Sequence, residues 1–162
     1  MKIFLIMTLV LLWGEARAGE ISLKYGIGFG LPDQQNISEV KYLSAGYVGD
    51  LGYVFKFKED LGAWFDSEQA AGRKNSWFYS SSIGMRVEPG YFYIDNYFGL
   101  AYVDQVDNIL GTAFEFTEEF GIGVRDEQGR AAGIQWRHFS NAGISKVNKG
   151  RDFILINIGI PL

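Results

Sequence analysis

The stretch Arg151-Asp152-Phe153-Ile154-Leu155-Ile156-Asn157-Ile158-Gly159-Ile160, close to the C-terminus, alternates strictly between two kinds of side chain. Asp152 and four isoleucines fall on one face, and Phe153, Leu155, Asn157 and Gly159 fall on the other. Because successive side chains of a strand point to opposite faces, this is a strand with one aliphatic wall. The preceding segment has the same logic. Ile134, Trp136, His138, Ser140 and Ala142 share a face, while Gln135, Arg137 and Asn141 share its opposite.

Working back through the chain, the same period recurs. Strands are expected at about 21–30, 37–48, 52–65, 76–87, 91–103, 109–124, 130–144 and from 151 to the end. In the first, Ile21, Leu23, Tyr25, Ile27 and Phe29 oppose Ser22, Lys24, Gly26 and Gly28, with no competing helical period. In the sixth, Leu110, Phe114, Phe116, Phe120, Ile122 and Val124 oppose Glu115, Thr117 and Glu119. Connections after the odd strands are polar and mostly long, whereas Gly49-Asp50 and Glu88-Pro89-Gly90 are tight turns. One rim of long loops and one of short turns is the signature of an up-and-down transmembrane barrel.

The charges Lys24, Lys56, Lys58, Arg86, Asp95, Glu115, Glu119 and Arg137 all lie on the faces opposite the aromatic and aliphatic ones. A polar interior inside an apolar exterior is what lipid requires, and closure leaves no unpaired edge in hydrocarbon. The fold expected is therefore all-β: an eight-stranded antiparallel barrel spanning a membrane. A soluble lipid-binding barrel with its apolar face inward is the alternative.

Composition agrees. The chain has 162 residues, 21 Gly, 16% aromatic residues and only 3 Pro, which suits many strands and tight turns. Lys2, an apolar run over residues 3–13 and Ala16-Arg17-Ala18 describe a cleaved secretory signal over 1–18, with the barrel domain at 19–162. Lys2, Glu15 and Arg17 together carry +1, so loss of the leader takes the formal charge from -4 to -5. That acidity argues against nucleic acid as a partner. No cysteine and a single histidine argue against thiolate or zinc chemistry, and no metal or cofactor is expected.

The single histidine is His138, two residues before Ser140 on one strand face. If the last hairpin is centred near residue 145 or 146, Asp152 lies beside or diagonal to His138. Cross-strand neighbours of that kind approach to about 4.5–8 Å. A carboxylate, an imidazole and a hydroxyl together on a lipid-facing wall are costly there and call for a function. Ser140 as nucleophile, His138 as general base and Asp152 as the acid that orients the imidazole would form a triad. A chance spacing at a polar strand end is the plainer reading. Asn141 and Gly143 offer a side-chain amide and a backbone N–H to an oxyanion, or else mark the strand-to-loop transition. Lys146, Lys149 and Arg151 lie in the adjacent loop, either solvated or facing lipid phosphates.

The string Arg137-His138-Phe139-Ser140-Asn141-Ala142-Gly143-Ile144, with Asn148, Gly150 and an acid twelve positions after the serine, resembles the lipid A 3-O-deacylase family (PagL). The ending Ile158-Gly159-Ile160-Pro161-Leu162 is similar too. The resemblance covers about 133–162 closely and the rest in architecture. It implies a barrel of the bacterial outer membrane, with lipid A of lipopolysaccharide as substrate, that removes the 3-linked acyl chain as a serine esterase. By matching position it implies Ser140 as nucleophile, His138 as base, Asp152 as acid, and Asn141 and Gly143 in the oxyanion hole. The family's acid is typically glutamate, one methylene longer than the aspartate here. The rival from another class is a non-catalytic structural or adhesive barrel, and a homodimer is compatible with either.

Overall fold

A computed structural model describes residues 19–29, 40–66 and 74–162. The expected leader lies outside these residues, as do most of the loops after the first and third strands. Eight antiparallel strands close on themselves in sequence order: β1 (Glu20–Phe29), β2 (Val40–Gly52), β3 (Phe55–Asp66), β4 (Ser76–Val87), β5 (Phe92–Val103), β6 (Phe114–Arg125), β7 (Ala131–Ser140) and β8 (Arg151–Pro161). β1 pairs with β8 from Glu20 opposite Pro161 to Phe29 opposite Asp152, which seals the barrel.

The exterior is apolar along its whole circumference. Ile154, Ile156, Ile158 and Ile160 on β8, Ile134 on β7, and Phe98 and Leu100 on β5 are all exposed. Their alternating neighbours Leu155, Asn157, Gln135, Tyr97 and Ala101 are buried within the barrel. The chain is thus a transmembrane β-barrel and not a soluble barrel with an apolar lumen, as the exposed aliphatic wall demands.

The lumen is divided. Toward the short-turn end it holds ions: Lys24 lies 2.7 Å from Asp60, Lys58 pairs with Glu119, and Arg137 lies 2.9 Å from Asp60. Further down, Arg86 bridges Glu20 and Asp95 at 2.9 and 2.8 Å. Toward the long-loop end the lumen is packed instead with Tyr42, Trp64, Phe78, Phe139, Phe153 and Leu110, beside the rim cluster of Arg151, Asp66 and Asp107. Phe139 and Phe153 meet edge-on at 5.9 Å between centroids. They are the chain neighbours of His138 and Asp152, so this aromatic plug anchors from inside the two strands that carry the outer residues.

Three boundaries differ from the sequence expectation. β2 runs past Gly49-Asp50, with an irregularity between Asp50 and Gly52, and turns only at Tyr53, which takes a positive φ of 49°. β6 begins at Phe114, not near 109. Ile109 and Leu110 belong instead to the β5–β6 loop, where Asp107 accepts both their N–H groups at 2.9 and 3.0 Å and turns them over the lumen. Leu110 is therefore buried within, not on the outer wall. β7 stops at Ser140 because Ala142 and Gly143 adopt φ of 50° and 82°, a left-handed conformation that ends a strand.

Candidate active site

β7 and β8 pair with His138 directly opposite Asp152, a hairpin centred on residue 145. Both side chains are on the outer face, near the long-loop rim. His138 Nδ1 lies 3.0 Å from Asp152 Oδ1. A carboxylate accepts only, so Nδ1 is the donor of this bond, and in the neutral imidazole Nε2 keeps its lone pair.

The same Asp152 oxygen accepts a second hydrogen bond, 2.9 Å long, from Trp136 Nε1. Trp136 and His138 are two apart on β7 and stack nearly parallel, 5.8 Å between centroids with 16° between planes. Asp152 is accordingly buried to 6% exposure although it points toward lipid. The two rings cover the charge while their N–H groups satisfy it, which lowers the cost of a carboxylate in that layer. In the sequence Trp136 is only part of the apolar face; an indole two residues before a histidine carries no signal of its N–H until its partner strand is placed.

Ser140, the last residue of β7, shares the outer face with His138 and is half-buried. Among the described residues no hydrogen bond joins its hydroxyl to the imidazole. Gly150 lies against the other edge of the ring. A Cβ built there would come within 2.6 Å of His138 Cε1 and 3.3 Å of Nε2, and the residue has φ of 71°. Only glycine gives both this backbone and an open imidazole edge. On the far side, Glu118 of β6 is the register partner of His138 and is exposed on the same face.

The Asn141 side chain, expected at an oxyanion, makes its hydrogen bonds within the loops. That residue is fully buried, and its amide organises the β7–β8 loop. Nδ2 donates to the Leu110 carbonyl and, at 2.7 Å, to that of Val147, while Oδ1 accepts from Gly143 N–H at 3.0 Å. Both donors expected for an oxyanion, the Asn141 amide and the Gly143 N–H, are thus occupied by the loop itself. Asn148 Oδ1 accepts the Asn141 N–H at 2.9 Å, so its Nδ2 points elsewhere and has no partner among the described residues. Arg151 also departs from expectation: it is buried and held by Asp107 at 2.5 Å and Asp66 at 3.4 Å, so it does not face lipid.

The fold and the outward polar cluster define a class: a membrane barrel of the outer-membrane type with a polar constellation on its lipid-facing wall. The profile of the family described as lipid A 3-O-deacylase (PagL) matches residues 41–161. The lipid A deacylase PagL of Bordetella bronchiseptica (strain ATCC BAA-588 / NCTC 13252 / RB50) is 30% identical over 163 residues, covering 94% of this chain and 90% of that protein. The crystal structure of the outer membrane enzyme PagL superposes with a TM-score of 0.63 at 19% identity, covering 88% of this chain and 99% of that one. Ail, the attachment invasion locus protein of Yersinia pestis, shares the barrel with a TM-score of 0.60 at 10% identity, over 90% and 98% of the two chains. The chain belongs to the lipid A 3-O-deacylase (PagL) family, and it is an outer-membrane protein.

Proposed function

We propose that this protein is an outer-membrane serine esterase that hydrolyses the 3-O-linked acyl chain of lipid A. The observation that carries the reading is the 3.0 Å contact of His138 Nδ1 with Asp152, made on the lipid-facing wall with Ser140 two residues along the same face. A site on the outer wall takes an acyl ester from the side, without extracting the lipid from its leaflet.

Ser140 Oγ attacks the ester carbonyl and passes its proton to His138 Nε2. Asp152 keeps Nδ1 protonated and stabilises the imidazolium as it forms. The carbonyl oxygen becomes an oxyanion. The free Nδ2 of Asn148 supports this role better than the Asn141 amide, which the loop has already used. Collapse breaks the ester bond; the sugar oxygen leaves with the proton from His138, and the acyl group stays on Ser140. Water then attacks the acyl-serine, giving its proton to His138, and the fatty acid departs as Ser140 recovers the proton.

The test uses purified, folded protein and lipid A, with release of the 3-hydroxy fatty acid followed by mass spectrometry. Ser140→Ala and His138→Asn are each expected to abolish release. Unchanged release by either variant would rule the triad out, and lipid A left intact by the wild type would favour a structural barrel.

A further inference from the structure

At least eight of the twelve lysines and arginines among the described residues are tied to carboxylates, exposed Lys74 at the β3–β4 loop not being one of them. Lys24, Lys58 and Arg137 share Asp60 and Glu119. Arg86 and Arg125 share Glu20, Lys56 pairs with Asp50, Arg130 with Asp126, and Arg151 with Asp66 and Asp107. Lys146 and Lys149 have no such partner among the described residues. Both are exposed, and both belong to the segment 141–150 that joins Ser140 to β8. That segment contains no Asp or Glu, in a chain whose formal charge is -4.

The segment is fixed to the barrel rim. Besides the Asn141 bonds, Lys149 N–H donates to the Ile109 carbonyl at 2.9 Å, and Gly111 of the β5–β6 loop packs on Val147 so closely that a Cβ there would meet its carbonyl oxygen at 2.2 Å. Two ammonium groups with no carboxylate partner among the described residues are therefore presented at the long-loop rim by a braced loop that begins directly after Ser140. Cations at a membrane surface attract anionic headgroups, at about fivefold in affinity for each Lys. Arg151, which would have joined them, has its charge consumed within the rim.

We infer that Lys146 and Lys149 form the subsite for a phosphate on the headgroup of the lipid whose ester Ser140 attacks. This rests on the esterase reading above. The acyl chain lies along the apolar wall, and the phosphate at the lysines fixes which ester of the headgroup reaches Ser140.

The experiment compares wild type with a Lys146→Gln/Lys149→Gln variant in detergent micelles, using lipid A and a dephosphorylated lipid A with the same acyl chains. Heat-modifiable migration verifies that each protein is folded. The wild type is expected to prefer the phosphorylated substrate by about tenfold or more in kcat/KM, chiefly through KM, and the variant to lose that preference. An active wild type whose preference is unchanged in the variant overturns the subsite alone. A wild type that cleaves neither substrate overturns the esterase reading. In that case retention of fluorescent lipid A by Ser140→Ala protein decides the subsite: loss of retention when both lysines are also replaced supports it, and equal retention overturns it.

Discussion

Trp136 and His138 donate to one and the same oxygen of Asp152, at 2.9 and 3.0 Å. Trp136 is in the proposed reading a positioning residue: its N–H holds the carboxylate that holds the imidazole. Trp136→Phe keeps an aromatic ring beside His138 and removes the donor. A net hydrogen bond to a charged group contributes about 1.5–3 kcal/mol, so kcat is expected to fall roughly tenfold or more while KM stays near wild type. A rise in KM alone, with kcat intact, would show that the indole packs and does not orient.

Asp152 itself should matter more. Asp152→Asn preserves shape but presents an amide to Nδ1, which permits the wrong imidazole tautomer; the expected loss in kcat is about 10³–10⁴. Asp152→Glu restores the acid with one more methylene and is expected to retain activity well above that of the asparagine variant. Single-turnover kinetics on lipid A with the three proteins would show the order Asp, Glu, Asn, and an asparagine variant as fast as wild type would remove Asp152 from the mechanism.

Gly150→Ala places a methyl 2.6 Å from His138 Cε1 at a residue whose φ of 71° is already costly for alanine. The ring must tilt away. A displacement of the order of 1 Å at a reacting group costs about a hundredfold in rate, so this variant is expected to fold as a barrel yet lose most activity. Heat-modifiable migration measured beside fatty-acid release separates the two effects, and full activity in a folded Gly150→Ala protein would refute the placement of the imidazole.

The barrel was legible because lipid enforces a period of two on every strand, and Ile154 to Ile160 display it without interruption. The His138–Asp152 pairing followed from that register once the last hairpin was centred near residue 145. Legibility failed where contacts come from far away in the chain. Ile109 and Leu110 continue an apolar pattern into β6, yet an Asp107 turn folds them over the lumen. Arg151 looks like a loop cation, but its counter-charges Asp66 and Asp107 sit 85 and 44 residues earlier. The Asn141 amide next to a serine invites an oxyanion role; its true partners, the carbonyls of Leu110 and Val147, appear only once two loops meet.

Arg137, between Trp136 and His138 in sequence, points the other way and belongs to stability. In the lumen, Lys24, Lys58 and Arg137 pair with Asp60 and Glu119, so cations outnumber carboxylates within salt-bridge distance among these described residues. Arg137→Met leaves two of each and keeps most of the side-chain length, though Tyr42, Ser80 and Thr117 lose the guanidinium they contact at 2.8, 2.5 and 3.1 Å. Asp60→Asn instead leaves three cations with Glu119 as their one carboxylate within salt-bridge distance among the described residues. Breaking a buried pair from one side costs about 3–5 kcal/mol, whereas an apolar replacement of similar volume costs far less. Asp60→Asn is therefore expected to be the more destabilising in urea titrations of the barrel refolded into bilayers. Folded Arg137→Met protein should retain near wild-type kcat, since its side chain is on the inner face. The reverse order of stabilities would mean that the hydrogen bonds of the guanidinium, and not the balance of charge, hold the lumen together.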